Sequence, residues 1–210
     1  MDFRKLVEQR VSVRTFRPDP VPLADVREMV RVAGLAPSPN NSQPWQFVAV
    51  SRPALLKEMA EAVQAKVLAM LPEPAGKDAR NARQRVAWFS TFFAEAPLVV
   101  AVLSFPYESE AERAIEGPAP SGAQINAMRG QPDILCLGAA VEHLLLAAAD
   151  MGYGGCWLSG PLVARDALER LLGVSAPARL ATMVAIGKPA ADHAAEHERK
   201  PVDEILRVVG

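Results

Sequence analysis

The sequence predicts a single globular domain, residues 1–210, built on a sheet of four or more strands surrounded by helices. Its length fits one domain, and 50% of the residues are hydrophobic while 22% are charged, which is enough apolar material for a sizeable core. Four short runs rich in β-branched or aromatic residues alternate with longer segments of helical periodicity. This alternation predicts helices packed against a sheet.

The first half of the chain contains four predicted helices and two predicted strands. A short helix at 2–10 precedes a loop at 11–21, and a second helix begins at Pro22 and ends near Gly34. Prolines exclude helix and interior strand over 36–44, so this stretch is predicted to be a rigid polar loop. The remaining elements of this half are a strand, two helices and a buried strand, at 45–51, 53–71, 78–94 and 97–104.

The second half is built around one long buried helix at 131–151. Its apolar residues recur every three or four positions and form a second row, which indicates contacts on more than one side. Gly and Pro break any period over 105–130, and so long a connection inside a domain is usually functional. A strand, a helix, a strand and a charged tail follow, at 154–160, 161–172, 179–187 and 188–210.

Composition and charge exclude several classes of function. A net charge of −1 and a pI near 6.3 give no field that attracts nucleic acid or an anionic membrane. No uninterrupted apolar run approaches the ~18 residues that span a bilayer, and the N-terminus lacks the apolar region of a signal peptide. We therefore expect a soluble, cytoplasmic protein. Its mean hydropathy of +0.08 suggests that a partner subunit covers some apolar surface.

The sequence also lacks the motifs of several common sites. Cys136 and Cys156 stand in apolar runs without CxxC spacing, and the three histidines lack metal-ligand spacing, so no metal site is expected. The Gly-x-Gly-x-x-Gly fingerprint and the phosphate loop are both absent. A Rossmann dinucleotide fold and a P-loop fold are therefore excluded.

The first candidate site segment is Arg10-Val-Ser-Val-Arg14. If the segment is extended, Arg10, Ser12 and Arg14 fall on one side of it, and two guanidinium groups flank a hydroxyl. Such an arrangement suits a phosphate or another anion. A solvated charged turn has the same composition, so both interpretations stand on this segment alone.

Three further segments carry candidate binding residues. The loop at 37–45 offers side-chain amides that suit a flat heterocycle, although the same residues favour turns and caps. In the glycine-rich segment 152–161, Ser159-Gly160 precedes a helix start and can present backbone N–H groups to a ligand, or can form an ordinary tight turn. Arg199-Lys200 either closes an anion site or is solvated surface.

Taken in order, these segments resemble the FMN-dependent nitroreductase family. The resemblance covers nearly the whole chain except about 71–130. Two positions depart from it, since Val11 stands where many members carry a basic or polar residue and Ser159 stands where some carry an acid. The matching motifs are Arg10-x-Ser12-x-Arg14-x-Phe16, Ala36-Pro-Ser with Asn41-Ser-Gln-Pro-Trp45, Leu144-Leu-Leu-Ala-Ala-Ala-x-x-Gly-Tyr-Gly-Gly-Cys-Trp157, Ala185-Ile-Gly-Lys-Pro189 and Arg199-Lys-Pro201.

The resemblance implies an α+β fold with a mixed central sheet flanked by helices. It also implies an intertwined homodimer that binds FMN at the subunit interface. The residues it assigns to FMN are Arg10, Arg199 and more weakly Lys200 at the phosphate; Ser12 and Arg14 toward the ribityl chain and the pyrimidine edge; Pro37, Ser38 and Asn41 from the other subunit; and the backbone of Leu158, Ser159 and Gly160 on the N5 side.

The activity that the resemblance implies is a ping-pong reduction. NAD(P)H donates hydride to FMN and leaves, and then a nitroaromatic, a quinone or a similar electron-poor compound takes two electrons in the same place. Arg14 is expected to stabilise the negative charge that develops near N1 and the C2 carbonyl on reduction. The segment 105–130 is expected to cover the substrate face, with Tyr107, Met128 and Arg129 as candidate contacts. The alternatives are a non-catalytic flavin-binding or sensing module, a reductive dehalogenase or a flavin-fragmenting enzyme.

Overall fold

The computed structural model of the protein describes residues 2–73, 75–107, 121–190 and 198–210. Within the predicted irregular connection, residues 108–120 lie outside the described residues, as do His193 and His197 in the tail. The described residues contain a four-stranded sheet with helices packed on both of its faces.

Helices and strands follow in the predicted order, with two short helices added at Gly122–Met128 and Val202–Ile205. The helices are α1 Phe3–Gln9, α2 Leu23–Ala33, α3 Pro53–Met70, α4 Lys77–Thr91, α5 Gly122–Met128, α6 Pro132–Asp150, α7 Arg165–Leu172 and α8 Val202–Ile205. The strands are β1 Trp45–Val50, β2 Leu98–Ser104, β3 Gly154–Leu158 and β4 Arg179–Gly187. Short 3₁₀ turns lie at Pro39–Asn41, Phe92–Glu95 and Gly160–Ala164, so the helix predicted over 161–172 is a 3₁₀ turn followed by α7.

The prediction of irregular structure over 105–130 is wrong at α5. The Ser121 side chain accepts the Gln124 N–H at 3.3 Å, and the Gln124 side chain accepts the Ser121 N–H at 2.8 Å. These reciprocal hydrogen bonds satisfy N–H groups that a helix start leaves unpaired, which stabilises this short helix. The Ser-x-x-Gln spacing is the sequence signal for it, and the neighbouring Gly and Pro residues obscure that signal.

The sheet has the strand order β1-β2-β4-β3, and each pair of neighbours is antiparallel. Helices together with this sheet confirm the predicted α+β fold. Within the described residues, parallel pairing is limited to a single bridge between Ser12 and Gly155. The mixed character of the sheet in this chain therefore comes from the N-terminal segment alone.

Strand β2 lies in the middle of the molecule and is buried on both faces. Val99 and Ala101 pack into a core with α3 and α7, whereas Leu98 and Val100 pack into a second core with α2 and α6. Burial on both sides explains why this strand is a continuous apolar run rather than an alternating one.

Helix α6 is the core helix on one side of the sheet. By length and composition alone, this helix is apolar enough to cross a membrane. A search for uninterrupted apolar runs in the sequence does not detect it. In the structure it packs against α2 and β3, and Val141, Leu144 and Ala148 are completely buried. These contacts bury part of its apolar surface, whereas Ile134 and Leu135 near its start are 44% and 67% exposed.

Candidate functional site

Four of the sequence-predicted residues, Arg14 and Leu158 to Gly160, line a cavity of about 320 Å³, called here the Arg14 cavity. It lies where the N-terminal segment, the end of β3 and the last turns of α4 come together. Its lining consists of Arg14, Arg85, Val86, Phe89, Ser90, Phe92, Cys156, Trp157, Leu158, Ser159 and Gly160. Arg14 and residues 158–160, predicted from separate segments, therefore line one space.

Backbone pairing with β3 places Arg14 in the cavity. The Val13 N–H donates a hydrogen bond to the Gly155 carbonyl at 3.0 Å, and the Val13 side chain is buried. This pairing confirms that the segment is extended around Ser12 and Val13. Because side chains alternate along extended backbone, Arg14 faces away from the side on which Val13 is buried. Its guanidinium lies 5.6 Å from the centroid of the Phe89 ring.

Arg10, Ser12 and Arg14 all lie near the thiol of Cys156. Burial raises the pKa of Cys156 above its ordinary value, while the charge of Arg14, the side chain of Ser12 and the charge of Arg10 act to lower that pKa. All three side chains of the predicted set therefore lie near this sulfur atom. Since burial dominates, the thiol is held neutral and lacks the thiolate character that nucleophilic catalysis needs.

Arg10 lies on the side of the segment that faces α6. Its Nε is 3.2 Å from Oε1 of Glu142, and the two side chains are 21% and 42% exposed. A phosphate bound at Arg10 would therefore have a carboxylate as its neighbour.

Hydrogen bonds hold the backbone at the end of β3. Thr182, which is buried, donates its hydroxyl to the Leu158 carbonyl at 2.8 Å and accepts the Trp157 indole N–H at 2.7 Å. Two residues after β3 ends, a Cβ at Gly160 would lie 3.1 Å from Oγ of Ser90. The end of α4 thus packs closely against the turn that the sequence analysis placed on the N5 side.

The polar loop is held by hydrogen bonds within itself. Asn40, Asn41 and Gln43 have positive φ angles of 50°, 52° and 45°, a conformation that Asn tolerates better than most residues. Oγ of Ser38 accepts the Gln43 N–H at 3.0 Å, and Oδ1 of Asn41 accepts the Gln43 side-chain N–H at 3.3 Å. These bonds link residues of the loop to one another. Pro37, Ser38 and Asn41 do not line the Arg14 cavity of their own chain.

The other predicted residues also lie away from the Arg14 cavity. Arg199 and Lys200 are exposed on the tail, and Met128 is 72% exposed on α5. Tyr107 is buried, and its hydroxyl accepts the Asn40 side-chain N–H at 2.8 Å. Within the described segments, no three His, Cys, Asp or Glu side chains lie close enough together to hold a metal ion.

The sequence analysis missed the contribution of α4 to the cavity. Arg85, Phe89 and Ser90 all line it. Residues 85 and 89 are four apart and share one face of a helix, which is a usable signal. The motifs that carry the resemblance do not include α4, so they do not point to this spacing.

A sequence profile described as the nitroreductase family matches residues 7–188 of the chain. The chain belongs to the nitroreductase family. Most of the Arg14 cavity, α4 included, falls within the matched residues. Membership confirms the resemblance found from the motifs and agrees with the observed α+β architecture.

Three similar proteins illustrate the range of the family. A BluB-like flavoprotein from Clostridium difficile 630 superposes with a TM-score of 0.85 and 30% identity over 100% of both chains. An iodotyrosine deiodinase, solved with FMN and 3-iodo-L-tyrosine, has a TM-score of 0.74 and 23% identity over 99% of this chain and 98% of its own. A Bacillus subtilis protein named as an NAD(P)H nitroreductase is 24% identical over 94% of this chain and 88% of its own length.

Proposed function

We propose that this nitroreductase-family protein binds FMN and uses NAD(P)H to reduce nitroaromatics, quinones or similar electron-poor compounds in a ping-pong, two-electron cycle. The observation that carries the proposal is the Arg14 cavity, where a guanidinium group faces the backbone turn at 158–160. We propose the cytoplasm as its location.

The Arg14 cavity has the chemistry that a flavin ring requires. Within the described residues, Arg14 has no carboxylate partner. Its guanidinium donates a hydrogen bond to the Ser12 carbonyl at 3.5 Å and lies over the Phe89 ring. Phe89 and Trp157 are 45% and 43% exposed and offer aromatic surfaces to a flat ring. A cationic group beside aromatic surfaces fits a heterocycle that gains negative charge.

Bound FMN would supply two-electron redox chemistry at its N5, and the chain would position and tune it. Arg14 would lie at the pyrimidine edge and stabilise negative charge there, because a fixed cation favours the charged form. The backbone of Leu158, Ser159 and Gly160 would face N5. The hydrogen bond from Thr182 holds that backbone before any ligand arrives.

The remaining predicted residues complete the site, and those of the loop at 37–41 would come from a second copy of the chain. Arg10, Arg199 and Lys200 are the cations for the phosphate, and the rigid loop at 37–41 would reach the flavin from the partner. The tail that carries Arg199 also exposes Ile205, Val208 and Val209, which are 70%, 82% and 79% exposed in the single chain. Apolar side chains exposed in this way favour a covering partner, so we propose a homodimer with FMN at its interface.

Reconstitution and kinetics test this proposal. Purified protein is titrated with FMN, and initial rates are then measured over a grid of NADPH and nitroaromatic concentrations. We expect FMN to bind and the double-reciprocal plots to be parallel, as a ping-pong cycle requires. Arg14→Ala should lower kcat/KM by roughly tenfold or more even when saturated with FMN, since it removes charge stabilisation.

Other outcomes favour the alternatives. FMN that binds without turnover of nitroaromatics, quinones or halogenated phenols would favour a non-catalytic module. Turnover of halogenated phenols alone, with release of halide, would favour reductive dehalogenation. An Arg14→Ala variant that binds FMN and turns over at the wild-type rate would refute the role of Arg14.

A further inference from the structure

A second guanidinium group, that of Arg85, lines the Arg14 cavity. Arg85 is exposed on α4, one turn before Phe89, and both side chains line the same space. The described lining thus contains two arginines and no carboxylate. Arg14 has a place in the proposed flavin site, whereas Arg85 is not used by it.

The helix that carries Arg85 is fixed against the site. Ser90 packs against Gly160, and its hydroxyl donates to the Val86 carbonyl at 2.8 Å. Trp88 stacks on Phe92 with ring centroids 5.5 Å apart and meets the edge of Phe89 at 4.9 Å. Because these aromatic contacts hold the last turns of α4, the base of the Arg85 side chain has a defined position relative to the cavity.

Helix geometry separates Arg85 from the N5 side of the cavity. Ser90 marks that side, since it packs against Gly160. Arg85 is five residues earlier, which corresponds to about 7.5 Å along the helix axis. Five residues also turn the helix by about 140°, so Arg85 and Ser90 lie on different faces of α4.

The other arginines of α4 do not face the cavity. Arg83 pairs with Glu73 at 3.2 Å and donates to the Leu68 carbonyl at 2.9 Å. Arg80 is exposed and is not part of the cavity lining. Arg85 is thus distinguished from its neighbours by position, and Arg80 provides a matched control on the same helix.

We propose that Arg85 is a specificity-determining residue that selects aromatic acceptors carrying a carboxylate over neutral ones. A guanidinium binds a carboxylate through two parallel hydrogen bonds, and the described lining of the cavity offers no carboxylate that would compete for Arg85. Arg85 binds and orients the acceptor and takes no part in electron transfer. This inference rests on the proposed function, because it concerns the acceptor in that cycle.

The test compares two acceptors that differ in one charge, 4-nitrobenzoate and 4-nitrobenzamide. Initial rates are measured with the FMN-loaded wild type, Arg85→Gln, Arg85→Lys and the control Arg80→Gln. We expect Arg85→Gln to lower kcat/KM for 4-nitrobenzoate by about tenfold or more, the loss typical of a charge-assisted hydrogen bond. For 4-nitrobenzamide the change should stay within about twofold, Arg85→Lys should restore part of the loss, and Arg80→Gln should change neither value.

A binding measurement without turnover supplements the kinetics. Benzoate and benzamide are titrated into each FMN-loaded variant, and their dissociation constants are read from the flavin absorbance. Arg85→Gln should weaken benzoate binding by a similar factor and leave benzamide binding unchanged. Equal losses for the charged and the neutral compound would show a structural role for Arg85 and overturn the proposal.

Further outcomes separate this proposal from the one on which it rests. If the wild type reduces nitro compounds and Arg85→Gln does so with the same preference, Arg85 is solvated surface and only this inference fails. If Arg85→Gln mainly weakens FMN binding or lowers kcat/KM for NADPH, Arg85 serves the flavin or the donor, and the inference is again wrong. If the wild type neither binds FMN nor reduces either acceptor, the proposed function fails and the inference fails with it.

Discussion

Gly154 and Gly155 are required by packing within the protein. The sequence alone left the glycine-rich segment as either a ligand-binding turn or an ordinary tight turn. A Cβ at Gly154 would lie 2.5 Å from Cγ2 of Val13, and a Cβ at Gly155 would lie 2.7 Å from Cδ2 of Leu145. The space beside Gly154 and Gly155 is therefore occupied by side chains of the same chain. Of the glycines in this segment, only Gly160 lines the Arg14 cavity.

We expect Gly154→Ala to destabilise the protein by about 1–3 kcal/mol, because the added methyl group overpacks the contact that places Val13 and Arg14. Gly138→Ala on α6 is the control, since its Cβ meets Trp157 at an ordinary 3.7 Å and alanine favours helix. Denaturant unfolding measures both variants. Equal stability of Gly154→Ala and wild type would contradict the packing argument.

The ion pair between Glu142 and Arg10 is a second feature of individual residues, and we expect it to affect phosphate binding. If Arg10 holds the FMN phosphate, the Glu142 carboxylate repels it and competes for the guanidinium. We expect Glu142→Gln to tighten FMN binding by roughly threefold to tenfold and to leave riboflavin binding unchanged, since riboflavin lacks the phosphate. Fluorescence titrations with the two flavins measure this difference. A variant that binds FMN more weakly and riboflavin unchanged would show instead that Glu142 positions Arg10.

Tyr153 joins three elements of the fold. Its hydroxyl donates a hydrogen bond to Asp25 of α2, and its ring lies 3.9 Å from Nζ of Lys188, which follows β4. Nζ of Lys188 also donates to the carbonyls of Met151 and Gly152 at 3.4 and 3.3 Å, where α6 ends. This network explains, by structure alone, why Tyr153 and Lys188 both occur in the family motifs.

Tyr153→Phe should lower the free energy of unfolding by about 1–3 kcal/mol, because it removes a hydrogen bond to a charged group. The hydrogen bond to Asp25, with burial and the charge of Asp25, raises the pKa of Tyr153 to about 12. The folded state therefore favours the neutral phenol, and this stability is present below the ordinary pKa of ~10 and lost as the pH rises toward 12. Unfolding curves at several pH values should show the difference between wild type and variant shrinking above about pH 10. A difference that does not depend on pH would refute this assignment.

Local patterns predicted most of the elements. β2 is recognisable because burial on both faces makes it wholly apolar, and α6 because its apolar rows repeat at helical spacing. The helix α5 was missed because its signal consists of two capping residues, Ser121 and Gln124, and the surrounding sequence is rich in Gly and Pro. The parallel bridge of Ser12 with Gly155 could not be predicted, since it joins residues far apart in sequence.

At the scale of the whole molecule, one chain assembles only part of the predicted site. The motifs located Arg14 and residues 158–160 correctly within one cavity. They did not reveal α4, because no motif there shows which helix packs over the turn. Residues 37–41 and 199–200 do not line this cavity, and under the proposed function the loop at 37–41 would reach it from a second copy.

The proposed homodimer predicts a sedimenting mass of about 45 kDa, twice the 22.6 kDa of the chain. The double variant Ile205→Asp with Leu206→Asp should shift the protein toward monomer and weaken FMN binding together, because charge replaces exposed apolar contacts on the tail. Analytical ultracentrifugation and FMN titration measure the two effects. A wild-type protein that is monomeric and still binds one FMN per chain would contradict a site shared between two chains.

The central claim is that the Arg14 cavity holds a flavin that a pyridine nucleotide reduces. The most direct test is an anaerobic visible spectrum of the FMN-loaded protein during addition of NADPH and then NADH. We predict flavin absorbance that bleaches with one or both donors and returns when a nitroaromatic or a quinone is added. A flavin spectrum that neither donor bleaches, or a protein that cannot be loaded with FMN, would contradict the account.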